Sequence, residues 1–500
     1  MTDWSRSKYE DFFMGAAAQS PQYDVIIVGS GFSGIGMAIA LKKAGRNNFL
    51  MLEKAADIGG TWRDNHYPGA ACDVPSHMYS YSFEPNPRWS RMYSGQAEIL
   101  DYMKHCARKY HLLPHFRGSN EVLELRWDNA NNLWHVKTSQ GDELTARIVV
   151  SGIGALSRPA IPKVNGLDSF TGPVWHSARW NHDVDLTGKR IAVIGTGASA
   201  IQFVPEIAPK VSQLTVFQRT PPWIIPKPDG PIHKNIQTVL KYVPGAQKVF
   251  RNGIYWQAET FALGFINPKF MGFIKRLALN YLDKSIKDPA LKAKMTPDYT
   301  PGCKRVLFSN NYFKAITRPN VQVYGGVAEV KGNQVVDFDG KAVDVDAIIL
   351  GTGFDVMDPF GPLKIFNSDG VEIREALQGR FTNYYGIAID KMPNLFMLLG
   401  PNTGLGHNSI IFMIEAQINY VMQALALMDK RKSTRMVVKP EAVDAFMDKI
   451  NNRLKKMVWN SGGCKSWYLN DKGENFTVWP GFTWKYWVET RKLITRDYVL

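Results

Sequence analysis

The 500-residue chain predicts an α/β protein: two strand–turn–helix–strand units, the second set inside the first, with a helical insertion beside them. Three observations predict it. An apolar strand runs into a Gly-x-Gly-x-x-Gly turn near the N-terminus, and the pattern recurs from residue 191. Two further apolar stretches, ARIVVSGIGALSRP (146–159) and VDAIILGTGFD (345–355), stop at small residues on either side of the repeat, as connectors between two halves would.

The length exceeds what one hydrophobic core supports, so several domains are expected. A chain 45% hydrophobic and 21% charged has the composition of a folded protein, not a disordered one. The formal charge of +15 suits a solvated basic surface or anionic cofactors. No helix-turn-helix, zinc-finger or RNA-binding signature is present, so no nucleic-acid partner is expected. The N-terminus has no signal-peptide core, and no uninterrupted apolar run approaches a bilayer's thickness. Cys72, Cys106, Cys303 and Cys464 are scattered, which argues against both a disulfide framework and a metal site. A reducing, cytoplasmic location is the expectation.

The first unit reads YDVIIVGSGFSGIGMAIALKKAG from residue 23. Its apolar run 25–28 meets Gly29-Ser30-Gly31-Phe32-Ser33-Gly34 and passes into a helical stretch. Gly29 allows the tight turn, Gly31 lets a pyrophosphate approach the backbone, and Gly34 lets helix and strand pack closely. Phosphates then meet the unpaired N–H groups at the helix start. The next strand, NFLMLEK, ends at Glu53, where a carboxylate suits the two hydroxyls of an unphosphorylated ribose. These features read as an FAD site.

The second unit has strands at 191–194 and 214–217 around Gly195-Thr196-Gly197-Ala198-Ser199-Ala200, with the alanine that the pattern allows at its last position. Its second strand ends in Gln218-Arg219-Thr220. A cation and a hydroxyl there welcome the 2′-phosphate that a carboxylate repels, which reads as NADPH. The plainer reading is a surface arginine on a structural unit. Two Rossmann-like domains follow, with the FAD-binding domain at 1–154 and 346–500. The NADPH-binding domain takes 155–224 and 300–345, and a helical subdomain takes 225–299.

Residues 225–299 break the alternating rhythm and read as helices with cations between apolar residues. A subdomain covering the site accounts for them; a basic amphipathic face on a membrane is the alternative, and membrane contact is not predicted. The tryptophan-rich C-terminus reads as packing. SFTGPVWHSARWN (169–181), ahead of the second unit, looks like neither a clean helix nor a clean strand.

FAD beside NADPH supports disulfide reduction or oxygen chemistry. The first needs a close-spaced cysteine pair, which is absent. The second needs a fixed cation near the flavin, steadied by a carboxylate. GGTWRDNHYPGAACDVPSHMYSYSF (59–83) and TPGCKRVLFSNNYF (300–313) hold candidates for both, though spacing alone does not bring them together.

Phe170, Gly172, His176 and Trp180 match the FxGxxxHxxxW core of type I Baeyer–Villiger monooxygenases, and Gly60, Trp62, Tyr67, Pro68, Gly69 and Asp73 match the family's longer pattern. The chain resembles that family over most of its length. Its GPNTGLGHNS and CKSWYLN…WPG stretches look similar to the 4-hydroxyacetophenone monooxygenase-like branch. Asn181 departs from the Pro or Asp usual after the fingerprint tryptophan. The resemblance implies Arg305 as the essential arginine and Asp73 as its positioning carboxylate. It implies FAD contacts at Gly60, Thr61, Trp62, Asp73, Tyr79 and Val122, and NADPH recognition by Lys304, Arg219 and Thr220. Phe170–Trp180 becomes a linker coupling NADPH binding to domain movement. The implied activity inserts one atom of O2 beside a ketone carbonyl through a C4a-peroxyflavin, giving an ester or lactone, with sulfoxidation alongside. The alternatives are a flavin monooxygenase acting on sulfur or nitrogen, and a non-catalytic flavin-binding sensor.

Overall fold

The computed structural model describes residues 20–500 apart from 359, 465, 467 and 471; the leader-free reading of the N-terminus concerns residues outside this range. Two sheets organise the molecule, the first mixed with a parallel core and the second wholly parallel. In the first, Tyr23–Val28 lies between Phe49–Leu52 and Glu143–Ser151, parallel to both. Phe116–Arg117 extends one edge beside Phe49–Leu52. An antiparallel meander of Val122–Asp128 and Leu133–Thr138 leads into Glu143–Ser151. Leu395–Met397 also pairs with Glu143–Ser151, so the C-terminal part of the chain returns to this sheet. The second sheet is wholly parallel, in the order Val321–Tyr324, Gln213–Phe217, Arg190–Ile194, Ala347–Leu350, Val174–His176. Parallel strands covered on both faces need unbroken apolar runs, and the central strands of both sheets have them.

Both glycine turns solve one steric problem. Gly29 and Gly195 have φ of +98° and +105°, a region that favours glycine. A Cβ on Gly29 would sit 2.7 Å from the Gly152 carbonyl oxygen, and one on Gly195 would sit 2.4 Å from that of Gly351. Gly152 and Gly351 end the two connector strands. Those connectors also meet each other: Ala160 N donates to Gly353 O at 2.9 Å, and Thr352 Oγ1 donates to Ala160 O at 2.6 Å.

Three expectations are corrected. Ala347–Leu350 pairs with Arg190–Ile194, so the second sheet runs past the boundary expected at residue 345. The stretch 169–181 contains a strand, Val174–His176, because it pairs with the apolar edge of Ala347–Leu350. Cys303 and Cys464 form a disulfide across a sequence separation of 161, hidden from any reading of local spacing.

Helices Lys234–Tyr242, Ala246–Ile266, Met271–Ser285 and Pro289–Met295 fill the insertion. Helix Ile410–Arg431 is long and apolar enough to cross a bilayer, at a mean hydropathy of 1.5. More than half of it is buried, against Phe32–Lys43 and Thr483–Thr490, as in a core helix.

Candidate functional site

A cavity of ≈ 2100 Å³ lies where both glycine turns open. Gly29, Gly31, Phe32, Ser33, Glu53, Gly60, Thr61, Trp62, Asp73, Tyr79 and Val122 line it from the first unit. Thr196, Gly197, Ala198, Ser199, Arg219, Thr220, Lys304 and Arg305 line it from the second. Gly34 does not. It sits behind the turn, where a Cβ would lie 2.0 Å from the Gly29 carbonyl oxygen, so its function is helix–strand contact.

The first turn fits a dinucleotide whose adenosine ribose carries no 2′-phosphate. Helix Phe32–Lys43 starts at Gly31 with no side-chain cap, leaving its first N–H groups to the cavity. A Cβ on Gly60 would stand 3.0 Å from the Gly31 Cα, so these glycines leave a narrow backbone-lined slot. Glu53 is buried at the end of its strand; one oxygen accepts from Ser30 N at 3.0 Å and Ser30 Oγ at 2.8 Å, and Arg63 lies 3.3 Å from the other. Trp62 Nε1 donates to Tyr79 Oη at 3.0 Å, and burial raises the Tyr79 pKa, keeping that phenol neutral.

The second turn fits a dinucleotide that carries a 2′-phosphate. Helix Ala200–Ile207 likewise starts without a side-chain cap. Arg219 is exposed at the end of its strand and makes no ion pair among the described residues. Lys304 faces the Tyr299 ring at 4.9 Å; burial, and then the charge of Arg219, lower its pKa. Two neighbouring cations, neither of them in an ion pair among the described residues, suit a phosphate even with Asp298 nearby.

Between the turns, Arg305 Nε donates to Asp73 Oδ2 at 2.8 Å and Nη2 pairs with the same oxygen at 2.7 Å, although the residues stand 232 apart in sequence. Asp73's charge raises the guanidinium pKa, so the cation persists at any working pH. Lys227 Nζ donates to the Cys72 carbonyl at 2.9 Å and steadies the loop that carries Asp73. The same loop reaches the second unit: Tyr67 Oη donates to Gln202 at 2.8 Å, and a Cβ on Gly69 would lie 2.7 Å from the Gln202 carbonyl oxygen.

Sequence reasoning missed two neighbours of Arg305. Its Nη1 donates to the Leu405 carbonyl at 3.4 Å, and Tyr468 lies beside it, with its pKa raised mainly by burial and lowered by the guanidinium. Both belong to stretches singled out above, GPNTGLGHNS and CKSWYLN, without a chemical role. The disulfide joins the Arg305 loop at Cys303 to the Tyr468 loop at Cys464.

Phe170, Gly172 and His176 lie outside the cavity lining, whereas Trp180 borders it. Phe170 is buried beneath the second sheet, and Gly172 passes so close to Asp346 O that a Cβ would lie 2.6 Å away. His176 packs edge-on to Phe354 of the second connector; burial lowers its pKa. Trp180 packs on Phe203, which also meets Tyr67. The linker thus touches a connector, the second unit's helix and, through Phe203, the Asp73 loop.

The profile of the pyridine nucleotide-disulphide oxidoreductase family matches residues 26–244. A Baeyer-Villiger monooxygenase of Pseudomonas aeruginosa is 48% identical over 95% of this chain and 91% of its own. One of Streptomyces coelicolor is 45% identical over 95% and 92%. Among solved structures, an oxidized steroid monooxygenase bound to NADP superposes with a TM-score of 0.86 at 29% identity, covering 96% of this chain and 99% of that one. Cyclohexanone monooxygenase from Rhodococcus sp. Phi1 bound to NADP+ gives 0.87 at 28% identity, with the same coverage. With full-length relatives at this identity and the same arrangement of two glycine turns, the chain belongs to the type I Baeyer–Villiger monooxygenases.

Proposed function

We propose that the chain inserts one oxygen atom of O2 beside the carbonyl of a small-molecule ketone, with FAD and NADPH, and that Arg305 is the residue on which this chemistry turns. The observation that carries the reading is the Arg305–Asp73 pair in the cavity onto which both dinucleotide turns open. When bound, FAD accepts hydride from NADPH and passes an oxygen atom from O2 to the substrate.

The residues around it have distinct tasks. Arg305 holds a permanent positive charge where negative charge develops on the reacting carbonyl oxygen, and Asp73 limits its rotation without exchanging a proton. Asp73, Leu405 O and Tyr468 surround the guanidinium, so it is oriented before substrate arrives. Arg219, Thr220 and Lys304 take the 2′-phosphate, and Glu53 takes the ribose hydroxyls at the other turn. The linker from Phe170 to Trp180 transmits movement between the two domains, the second inserted in the first, through its contacts on Phe354 and Phe203.

The test is product analysis. Purified protein receives NADPH, oxygenated buffer and cyclic, aryl and long-chain ketones in turn, with a thioether in parallel. Ester or lactone matching the NADPH consumed is the expected result. NADPH consumption that yields only hydrogen peroxide with every ketone, or sulfoxide alone, overturns the assignment.

A further inference from the structure

The helical insertion has two faces. Its inner face is fully engaged. Arg251 donates to the Ser80 carbonyl at 3.0 Å, and Tyr255 Oη meets Thr483 Oγ1 at 3.0 Å. Buried Glu259 accepts from Asn408 Nδ2 at 2.7 Å and Thr483 Oγ1 at 2.6 Å, and Phe265 stacks on Trp459. Through Asn408 this face rests on the loop whose Leu405 carbonyl accepts from Arg305.

The outer face is apolar and exposed. Ten of the twenty-two exposed large hydrophobic residues among those described fall between residues 236 and 273. Val249, Trp256 and Leu263 recur every seven residues along helix Ala246–Ile266, which puts them on one side. Val249 is 73% exposed, and Phe273, at the start of the next helix, is 72% exposed. Cations accompany them: Lys234, Lys241, Lys248, Lys269, Lys275 and Arg276 are all exposed. From residue 231 to residue 282 the sequence holds one carboxylate, Glu259, and it is buried on the inner face.

We propose that this face docks the enzyme peripherally on an anionic phospholipid bilayer. Aromatic and aliphatic side chains interleaved with lysines, with no exposed carboxylate in the segment itself, match the boundary between anionic headgroups and acyl chains. A second copy of the chain is the poorer occupant. A two-fold contact sets the patch against itself and brings lysines together with no exposed carboxylate of the segment 231–282 to offset them. Docking also lays the layer that contacts the Arg305 loop against a solvent for apolar ketones. The inference rests on surface chemistry and is independent of the oxygenation reading, since vesicle binding is measured without catalysis.

The test is flotation of the full-length, FAD-loaded protein with vesicles of phosphatidylcholine alone or mixed equally with phosphatidylglycerol. The expected result is at least tenfold greater partitioning to the phosphatidylglycerol vesicles, reduced at about 0.5 M salt, where screening shortens to a few ångströms. Two variants, Trp256→Asp/Phe273→Asp and Lys241→Glu/Lys248→Glu, abolish it while keeping their flavin absorbance. Failure to float, or flotation that both variants retain, overturns the proposal. A concentration-dependent dimer that Trp256→Asp/Phe273→Asp disrupts, without vesicle binding, replaces the bilayer by a second copy.

Discussion

Replacing Asp73 with asparagine keeps the side-chain shape and removes its charge. In the structure a single carboxylate oxygen accepts from Arg305 Nε at 2.8 Å and pairs with Nη2 at 2.7 Å, so one charge-assisted hydrogen bond becomes neutral and one ion pair is lost. Hydrogen bonds to charged groups contribute about 1.5–3 kcal/mol against about 1 kcal/mol for neutral ones, a difference of about 0.5 kcal/mol at the lower end. The lower end applies because the two side chains remain 32% and 27% exposed, so solvent screens the lost attraction. With about 0.5 kcal/mol for the partly exposed ion pair, the sum is about 1 kcal/mol of orientation lost at the guanidinium, which corresponds to about a fivefold fall in kcat for ester formation. The assay is ester formed per NADPH consumed, with flavin content measured on each preparation. Asp73→Asn is expected to keep its FAD and divert NADPH into hydrogen peroxide, whereas Arg305→Ala keeps FAD and makes no ester. Wild-type ester formation by Asp73→Asn, or loss of activity that merely follows loss of FAD, would refute the reasoning.

Arg219→Ala removes an unpaired cation from the second turn, so the ratio of kcat/KM for NADPH over NADH should fall about tenfold or more; an unchanged ratio in steady-state kinetics places the 2′-phosphate elsewhere. The Cys303–Cys464 disulfide closes a loop across a sequence separation of 161, which chain entropy values at about 5 kcal/mol. Urea unfolding of wild type should therefore shift with dithiothreitol and that of Cys303→Ser should not; equal shifts in both disprove the bond's contribution. His77 is buried, and burial with the charge of Arg251 pushes its pKa down to about 4. The unfolded chain therefore binds this proton first as pH falls below about 6.5, and stability drains between there and about pH 4 by about 3 kcal/mol. His77→Phe should flatten that part of the stability–pH curve; an identical slope in both proteins excludes His77 as its source.

The amino-acid sequence by itself determined the two strand–glycine–helix units, the carboxylate against the cation at their second strand ends, and the helical character of 225–299. Each rests on contacts within a few tens of residues. Apolar runs make the parallel strands, Gly29 and Gly195 make the positive-φ turns, and Glu53 and Arg219 end their strands toward the cavity. The fingerprint residues were equally legible, although the strand Val174–His176 was not, since a three-residue strand exists only through its partner Ala347–Leu350. The pairing of Ala347–Leu350 with Arg190–Ile194 carries the second sheet beyond the expected boundary.

Tertiary structure alone decided the rest. Asp73 and Arg305 lie 232 residues apart, and only the packing of the 59–73 loop on both units brings them within 2.8 Å. The scattered cysteines gave no pairing signal, yet the loops carrying Arg305 and Tyr468 are joined through them. The exposed face of the insertion depended on which side of helix Ala246–Ile266 met Thr483 and Asn408, a choice that periodicity leaves open. Local propensity acts between near neighbours and writes itself into the order of residues, whereas these contacts are chosen by the packing of distant segments whose order records no distance between them.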